Sequence, residues 1–378
     1  MNIIRNLCAG PGALPRSVLL AAQEAVLALP GAGVSILGLS HRSHRFRQIL
    51  DDAEERLRAL LEVPPSHHVL FLQGGGTLQF SMVPLAMLPA GRVADYIVSG
   101  YWSQKAFEAA QHHGNVRLAW DGRPHGFRRL PRAEEISARS DAAYLHYVSN
   151  ETVEGLQFRE VPRTAAPLVC DMSSDFLSRP LGATPFSIVY AHAQKNLGPA
   201  GVTIVLVRDD VLSRMPSGLA PILDYRAHCA ARSILHTPPV FSIYVVLLVL
   251  RWLGDEVGGL AEMGRINEEK ARLVRGALNE CQHFYQQDIL PGSESEMNVT
   301  FRCPTSQLDT LFVERAEQAG LVGTAGHRSR GGLRISLYNA VTIDDAQAVA
   351  KFLSAFAKEH RSTGTPPGTA ASGAGVTR

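Results

Sequence analysis

Residues 186–207, FSIVYAHAQKNLGPAGVTIVLV, decide how this chain folds. Phe186 to Tyr190 and Val202 to Val207 are short apolar runs without polar alternation, the pattern of strands buried on both faces. The loop between them, His192-Ala193-Gln194-Lys195-Asn196-Leu197-Gly198-Pro199-Ala200, carries a single Lys among small and amide side chains. Such loops ordinarily hold solvated polar residues, or Gly and Pro for turning. Lys195 is one of five Lys (105, 195, 270, 351, 358) in a chain with 32 Arg. The other four sit in charged or amphipathic helical contexts, where a solvated face is expected. Arg does not lose its proton, whereas a partly buried Lys becomes a nucleophile able to form a Schiff base. Taken alone, capping the loop or pairing with a carboxylate is the commoner fate of such a Lys.

Outward from this stretch, strands and helices alternate. Leu7-Cys8-Ala9-Gly10-Pro11-Gly12 is an extended or turning start. The spacing of Val18, Leu19, Ala22, Val26 and Leu29 predicts a helix over 15–29, with Pro15 at its start. Phe46, Ile49, Leu50, Ala53, Leu57 and Leu60 predict another over about 45–62. Strands are expected at His68–Leu72, Tyr96–Val98, Ala143–Val148 and Leu168–Cys170, with a helix from Leu78 to about Leu85. A helix-rich stretch over about 240–284 leads to strands at Met297–Phe301 and Leu333–Tyr338 and helices near 306–319 and 343–359. Short unalternating strands separated by helices define an α/β fold with a mostly parallel central sheet covered by helices, plus a smaller C-terminal α/β domain. Such sheets bind ligands beyond the carboxyl ends of their strands.

The 378 residues suffice for a large core, and 46% hydrophobic with 19% charged residues is the balance of a globular enzyme. A net charge of +2 gives no argument for nucleic acid or a membrane surface. The five Cys (8, 170, 229, 281, 303) have no metal-ligand spacing and, being odd in number, disfavour a disulfide framework. The start lacks a secretory pattern, and Val240 to Leu250 is too short to span a bilayer. The chain reads as cytoplasmic, without a metal.

Four features fall just past expected strand ends. Gly74-Gly75-Gly76-Thr77, ahead of a helix, offers N–H groups and a hydroxyl to an anion such as a phosphate, although a plain tight turn fits as well. Trp102, in Gly100-Tyr101-Trp102, is either core or a stacking platform for a planar ring. Asp171 is either a helix cap or the carboxylate that keeps a pyridinium nitrogen protonated. Thr152 ends Asn150-Glu151-Thr152. Together with Lys195 they describe a pyridoxal phosphate site.

These segments, with Cys8-Ala9-Gly10-Pro11, Ser40-His41-Arg42, Asp171-Met172-Ser173-Ser174, His236-Thr237-Pro238-Pro239 and Gly326-His327-Arg328, resemble the phosphoserine aminotransferases, in order, from about residue 5 to 360. The resemblance implies a fold-type-I pyridoxal phosphate-dependent transferase, with a large cofactor-binding domain at 15–255 and a small domain from 1–14 and 256–360; the stretch 361–378, rich in Gly, Ser, Thr, Ala and Pro, is expected to be a disordered tail. It implies transfer of the amino group of L-glutamate to 3-phosphohydroxypyruvate in serine biosynthesis, and action on the related phosphorylated oxo acid of vitamin B6 synthesis. Lys195 would form the Schiff base with pyridoxal 5′-phosphate and move the proton. Asp171 would pair with the pyridine nitrogen, Trp102 stack on the ring, and Thr152 bond its phenolic oxygen. Gly76, Thr77 and Gln194 would hold the cofactor phosphate, joined by His236 and Thr237 from the second subunit of a homodimer. Arg334 would take the substrate α-carboxylate, and His41-Arg42 and His327-Arg328 its phosphate or distal carboxylate, groups that Arg forks bind bidentately. Cys8 stands where many members of the family have Ser, Thr77 where some have Arg, and His236 where Asn is usual, which bears on substrate contact and phosphate binding. The readings set against this one are an aminotransferase of serine–pyruvate type, disfavoured by the paired His-Arg loops, and a catalytically silent binding or regulatory relative, disfavoured by Lys195 and Asp171.

Overall fold

The computed structural model describes residues 4–182 and 184–360; the tail at 361–378, expected to be disordered, lies outside the described residues. The apolar runs form β1 (His67–Leu72), β2 (Val93–Val98), β3 (Asn115–Asp121), β4 (Leu145–Val148), β5 (Leu168–Asp171), β6 (Ile188–His192) and β7 (Thr203–Arg208). They make one sheet in the order β1-β7-β6-β5-β4-β2-β3. From β6 to β3 all neighbours are parallel, and β7 alone runs antiparallel to the strands on either side of it. Successive strand residues point to opposite faces. Phe71, Val189, Ala191, Ile204 and Leu206 therefore enter one core, under α1 (Arg16–Leu27) and α2 (His44–Leu61). Leu70, Leu72, Ile188, Tyr190 and Val205 enter another, under α3 (Gly75–Met87) and α4 (Tyr101–Ala110). Two apolar faces on each strand are what a sheet covered on both sides requires.

β3 has no counterpart in the sequence-based expectation. It is one of the two edge strands, half-buried for most of its length, and Arg117 and Asp121 interrupt the apolar pattern. Its Arg117 donates two hydrogen bonds, of 2.9 and 2.8 Å, to the buried carboxylate of Asp95 on β2. The edge is held partly by charge pairing, which an apolar-run criterion does not see.

Beyond the sheet, α5 (Val240–Arg251) packs on the first core, and α6 (Leu260–Glu280) passes between cores. Leu260 and Met263 of α6 belong with the sheet, whereas Ala271, Val274 and Leu278 belong to a third core. That core contains β8 (Asn298–Phe301), α7 (Ser306–Gln318), β9 (Leu333–Ser336) and α8 (Ile343–His360). β8 and β9 pair antiparallel, and Arg5–Asn6 at the start of the chain pairs in parallel with Leu321–Val322. Leu7 lies in the same core. No helix among the described residues is long and apolar enough to cross a membrane.

Lys270 corrects one expectation. It does not lie on a solvated helical face but is 0% exposed on α6, where Nζ donates to the carbonyls of Leu337, Tyr338 and Val341 at 3.1, 2.9 and 2.9 Å. The long side chain reaches through the apolar stripe of its helix to cap the loop after β9.

Candidate active site

β1, β2, β4, β5 and β6 end at the same edge of the sheet, and the segments that follow them meet there. Between them lies a cavity of about 210 Å³ whose walls include Gly76, Thr77, Trp102, Thr152, Asp171 and Lys195, with Gln194 and His192 beside the lysine.

The glycine turn is tighter than the sequence suggests. Helix α3 begins at Gly75 rather than near Leu78, so the glycines form its first turn. Gly74 and Gly75 have φ of +93° and +67°, where L side chains are strained. A Cβ on Gly75 would lie 2.8 Å from the His192 ring. The first N–H groups of a helix have no intrahelical acceptor and carry the positive end of its dipole, so this corner of the cavity favours an anion.

Lys195 is 9% exposed, and its Nζ donates to Thr152 Oγ1 at 2.7 Å. The amine lies 6.0 Å from the centroid of the Trp102 ring. Burial pulls it down to about 8 from an ordinary 10.5, with the Asp171 carboxylate opposing and Arg334 adding to the shift. A good fraction of such an amine is neutral, and therefore nucleophilic, near physiological pH. Asp171, at the end of β5, is buried; Oδ1 accepts from Ser173 N at 2.8 Å. Burial raises its carboxyl, and the Ser173 hydroxyl and N–H hold it back.

Arg334 on β9 comes from the third core, is 9% exposed, and donates from Nη1 to the Thr152 carbonyl at 3.1 Å. Its buried Nε has no hydrogen-bond partner among the described residues, leaving a donor for an incoming acid. His327 stacks at a tilt on Tyr101, with centroids 4.9 Å apart, and its Nδ1 is 2.7 Å from Ser329 Oγ. Burial, then Arg334 and Arg328, lower its imidazole. Arg328, Arg42, His236 and Thr237 are exposed and His41 half-buried; none of these lines the cavity within a single chain. Cys8 lies against Gly323 and takes Asn6 Oδ1 on its N–H at 2.9 Å.

Several residues at the site gave no signal of their own in the sequence. Ser173 positions Asp171. Tyr338 donates to the Ala9 carbonyl at 2.8 Å, and Gly12 N donates to the Gln194 carbonyl at 2.8 Å, which folds the N-terminal segment over the lysine loop. Asn196 accepts from Asn339 N at 3.0 Å, fixing the far side of that loop. Gly12 had a legible reason to be Gly only once its neighbours were known: a Cβ there would lie 2.8 Å from the Lys195 carbonyl.

A buried lysine at the carboxyl edge of a mostly parallel sheet, facing a carboxylate, an aromatic ring and a helix N-terminus, is an arrangement of aminotransferases. Residues 4–349 match the class-V aminotransferase family, and the chain belongs to it. Within that family it falls among the phosphoserine aminotransferases. The phosphoserine aminotransferase of Geobacillus kaustophilus is 44% identical over 93% of this chain and 97% of its own length. That of Laribacter hongkongensis is 44% identical over 94% and 99%. The solved phosphoserine aminotransferase of Bacillus circulans subsp. alkalophilus superposes with a TM-score of 0.92 at 42% identity, covering 94% of this chain and 99% of that one. The pyridoxal phosphate-bound phosphoserine aminotransferase of Trichomonas vaginalis superposes with a TM-score of 0.87 at 34% identity, covering 93% and 99%.

Proposed function

We propose that this protein transfers the amino group of L-glutamate to 3-phosphohydroxypyruvate, giving O-phospho-L-serine and 2-oxoglutarate, with pyridoxal 5′-phosphate as cofactor. The observation that carries the reading is Lys195: a buried amine, held by a neutral hydroxyl, between an aromatic ring and a buried carboxylate. The cavity fits the cofactor. The N–H groups at Gly76 and Thr77, with the Thr77 hydroxyl and Gln194, would hold its phosphate. Trp102 would cover the ring, Asp171 would face the pyridine nitrogen, and Thr152 would meet the phenolic oxygen. When bound, pyridoxal phosphate supplies an electron sink for charge developing at the substrate Cα.

The protein's own groups do the rest. Lys195 Nζ holds and moves the proton at Cα, and its lowered affinity for protons suits a base working near neutrality. Arg334, anchored on the Thr152 carbonyl, forks onto the α-carboxylate common to both amino acids. His41-Arg42 and His327-Arg328 take the phosphate or the distal carboxylate. In a homodimer, the exposed His236 and Thr237 of one copy would complete the anion corner of the other. The same groups would accept the phosphorylated hydroxy-oxo acid of vitamin B6 synthesis, so we extend the proposal to that substrate.

The test follows the visible absorbance of the cofactor-loaded protein. Glutamate should discharge the band, and phosphohydroxypyruvate, but not pyruvate, should restore it. Restoration by pyruvate would favour the serine–pyruvate type instead, and a band that persists in Lys195→Ala would sink the role of Lys195.

A further inference from the structure

Trp102 sits in the first turn of α4, where the N–H groups have no intrahelical acceptors. Two acids meet them. Glu151 accepts from Trp102 N at 3.0 Å through Oε2 and from Ser103 N at 2.9 Å through Oε1, and Ser99 Oγ donates to Oε1 at 3.4 Å. Glu154 Oε2 accepts from Tyr101 N at 3.2 Å. The two side chains are 0% and 4% exposed. They crowd Gly100 so closely that any Cβ there would overlap Glu154 Oε2 and the Glu151 carboxyl carbon. Burying two neighbouring acids is costly, and a fold that does so needs donors for them. Burial, followed by the charge of Glu151, raises the Glu154 carboxyl above the usual carboxylate range.

What the clamp holds is functional. The Trp102 ring lies beside Lys195, and the Tyr101 ring beside His327. Thr152, the hydrogen-bond partner of Lys195, stands between the two acids in sequence. We propose that Glu151 and Glu154 are positioning residues: by fixing the three N–H groups of residues 101–103 they set the Trp102 ring against the cofactor and the Tyr101 ring against the substrate-binding His327. This rests on the function proposed above.

The test is a double-mutant cycle on purified protein, titrating pyridoxal phosphate into the apoprotein and reading both its dissociation constant and the visible circular dichroism it acquires. Glu151→Gln should weaken binding about tenfold, the effect of weakening charged hydrogen bonds, and reduce the dichroism. In a Trp102→Ala background the same change should alter the dissociation constant less than about twofold, because the two residues act as one unit. Equal fold-changes in both backgrounds overturn the proposal. Glu154→Ala should raise the KM for phosphohydroxypyruvate about fivefold with kcat within about twofold, the mark of lost ground-state binding; an unchanged KM removes Glu154 from it. Should Glu151→Gln fail to fold, Ser99→Ala decides: a two- to threefold weakening that disappears without Trp102 supports the clamp, and its absence overturns it. A wild-type protein that binds no pyridoxal phosphate refutes the function itself, whereas one that transaminates without this coupling refutes only the clamp.

Discussion

At the scale of single residues, Lys195 is governed by its surroundings. Burial lowers its proton affinity, and Thr152 gives the amine a partner without giving it a counter-charge in direct contact. The neutral amine is the nucleophile, so cofactor capture by the apoprotein should accelerate as pH rises through about 8 and level off above it; stopped-flow absorbance against pH reads this directly. A profile still climbing toward 10 would mean that the amine is not buried as described. Lys195→Arg keeps the charge but cannot deprotonate, and turnover should fall at least about a thousandfold. Lys195, Asp171, Thr152 and Trp102 were legible in the sequence because each follows a recognisable apolar run. Tyr338 and Gly12 were not, since their importance lies in which distant atoms they touch.

Among the elements, the start of α3 and the middle of α6 teach opposite lessons. Glycines are poor helix formers, and helical periodicity placed the start near Leu78; the structure starts the helix at Gly75 because the positive φ of Gly74 and Gly75 brings the chain off β1 close to His192. Gly75→Ala should cost about 1–2 kcal/mol from the left-handed backbone alone, visible in urea unfolding, and should also loosen cofactor binding. In α6, periodicity was right about the helix and wrong about Lys270. All three carbonyls around its Nζ are met at once only by the ammonium form, against a burial that pulls the amine down to about 7. Lys270→Met fills the volume but strands those carbonyls, and should destabilise the protein by about 3 kcal/mol in chemical denaturation. A neutral or stabilising result would show that the loop after β9 finds other donors.

For the whole molecule, the decisive fact is that the site draws on separate cores. The lysine, the aspartate and the glycine turn belong to the seven-stranded sheet, while Arg334 arrives from the antiparallel β8–β9 pair and closes on the Thr152 turn. Arg334→Gln should therefore lower kcat/KM for glutamate and for the phosphorylated oxo acid alike, by about 10- to 100-fold, because the α-carboxylate is common to both. Arg328→Ala should penalise the phosphorylated substrate more than an unphosphorylated analogue. Steady-state kinetics on both half-reactions separates the two patterns, and a loss confined to one substrate for Arg334→Gln would reassign that residue.

The sequence by itself determined the alternation of strands and helices, the parallel character of the sheet and the chemistry at its carboxyl edge, because apolar periodicity and residue type are local properties of the chain. Tertiary structure decided the charge-paired edge strand β3, the buried Lys270, the glutamates under Trp102 and the approach of Arg334 to Thr152. Each of these depends on contacts between residues far apart along the chain, where burial changes what a charged side chain can do and no local pattern records the neighbour that makes burial tolerable.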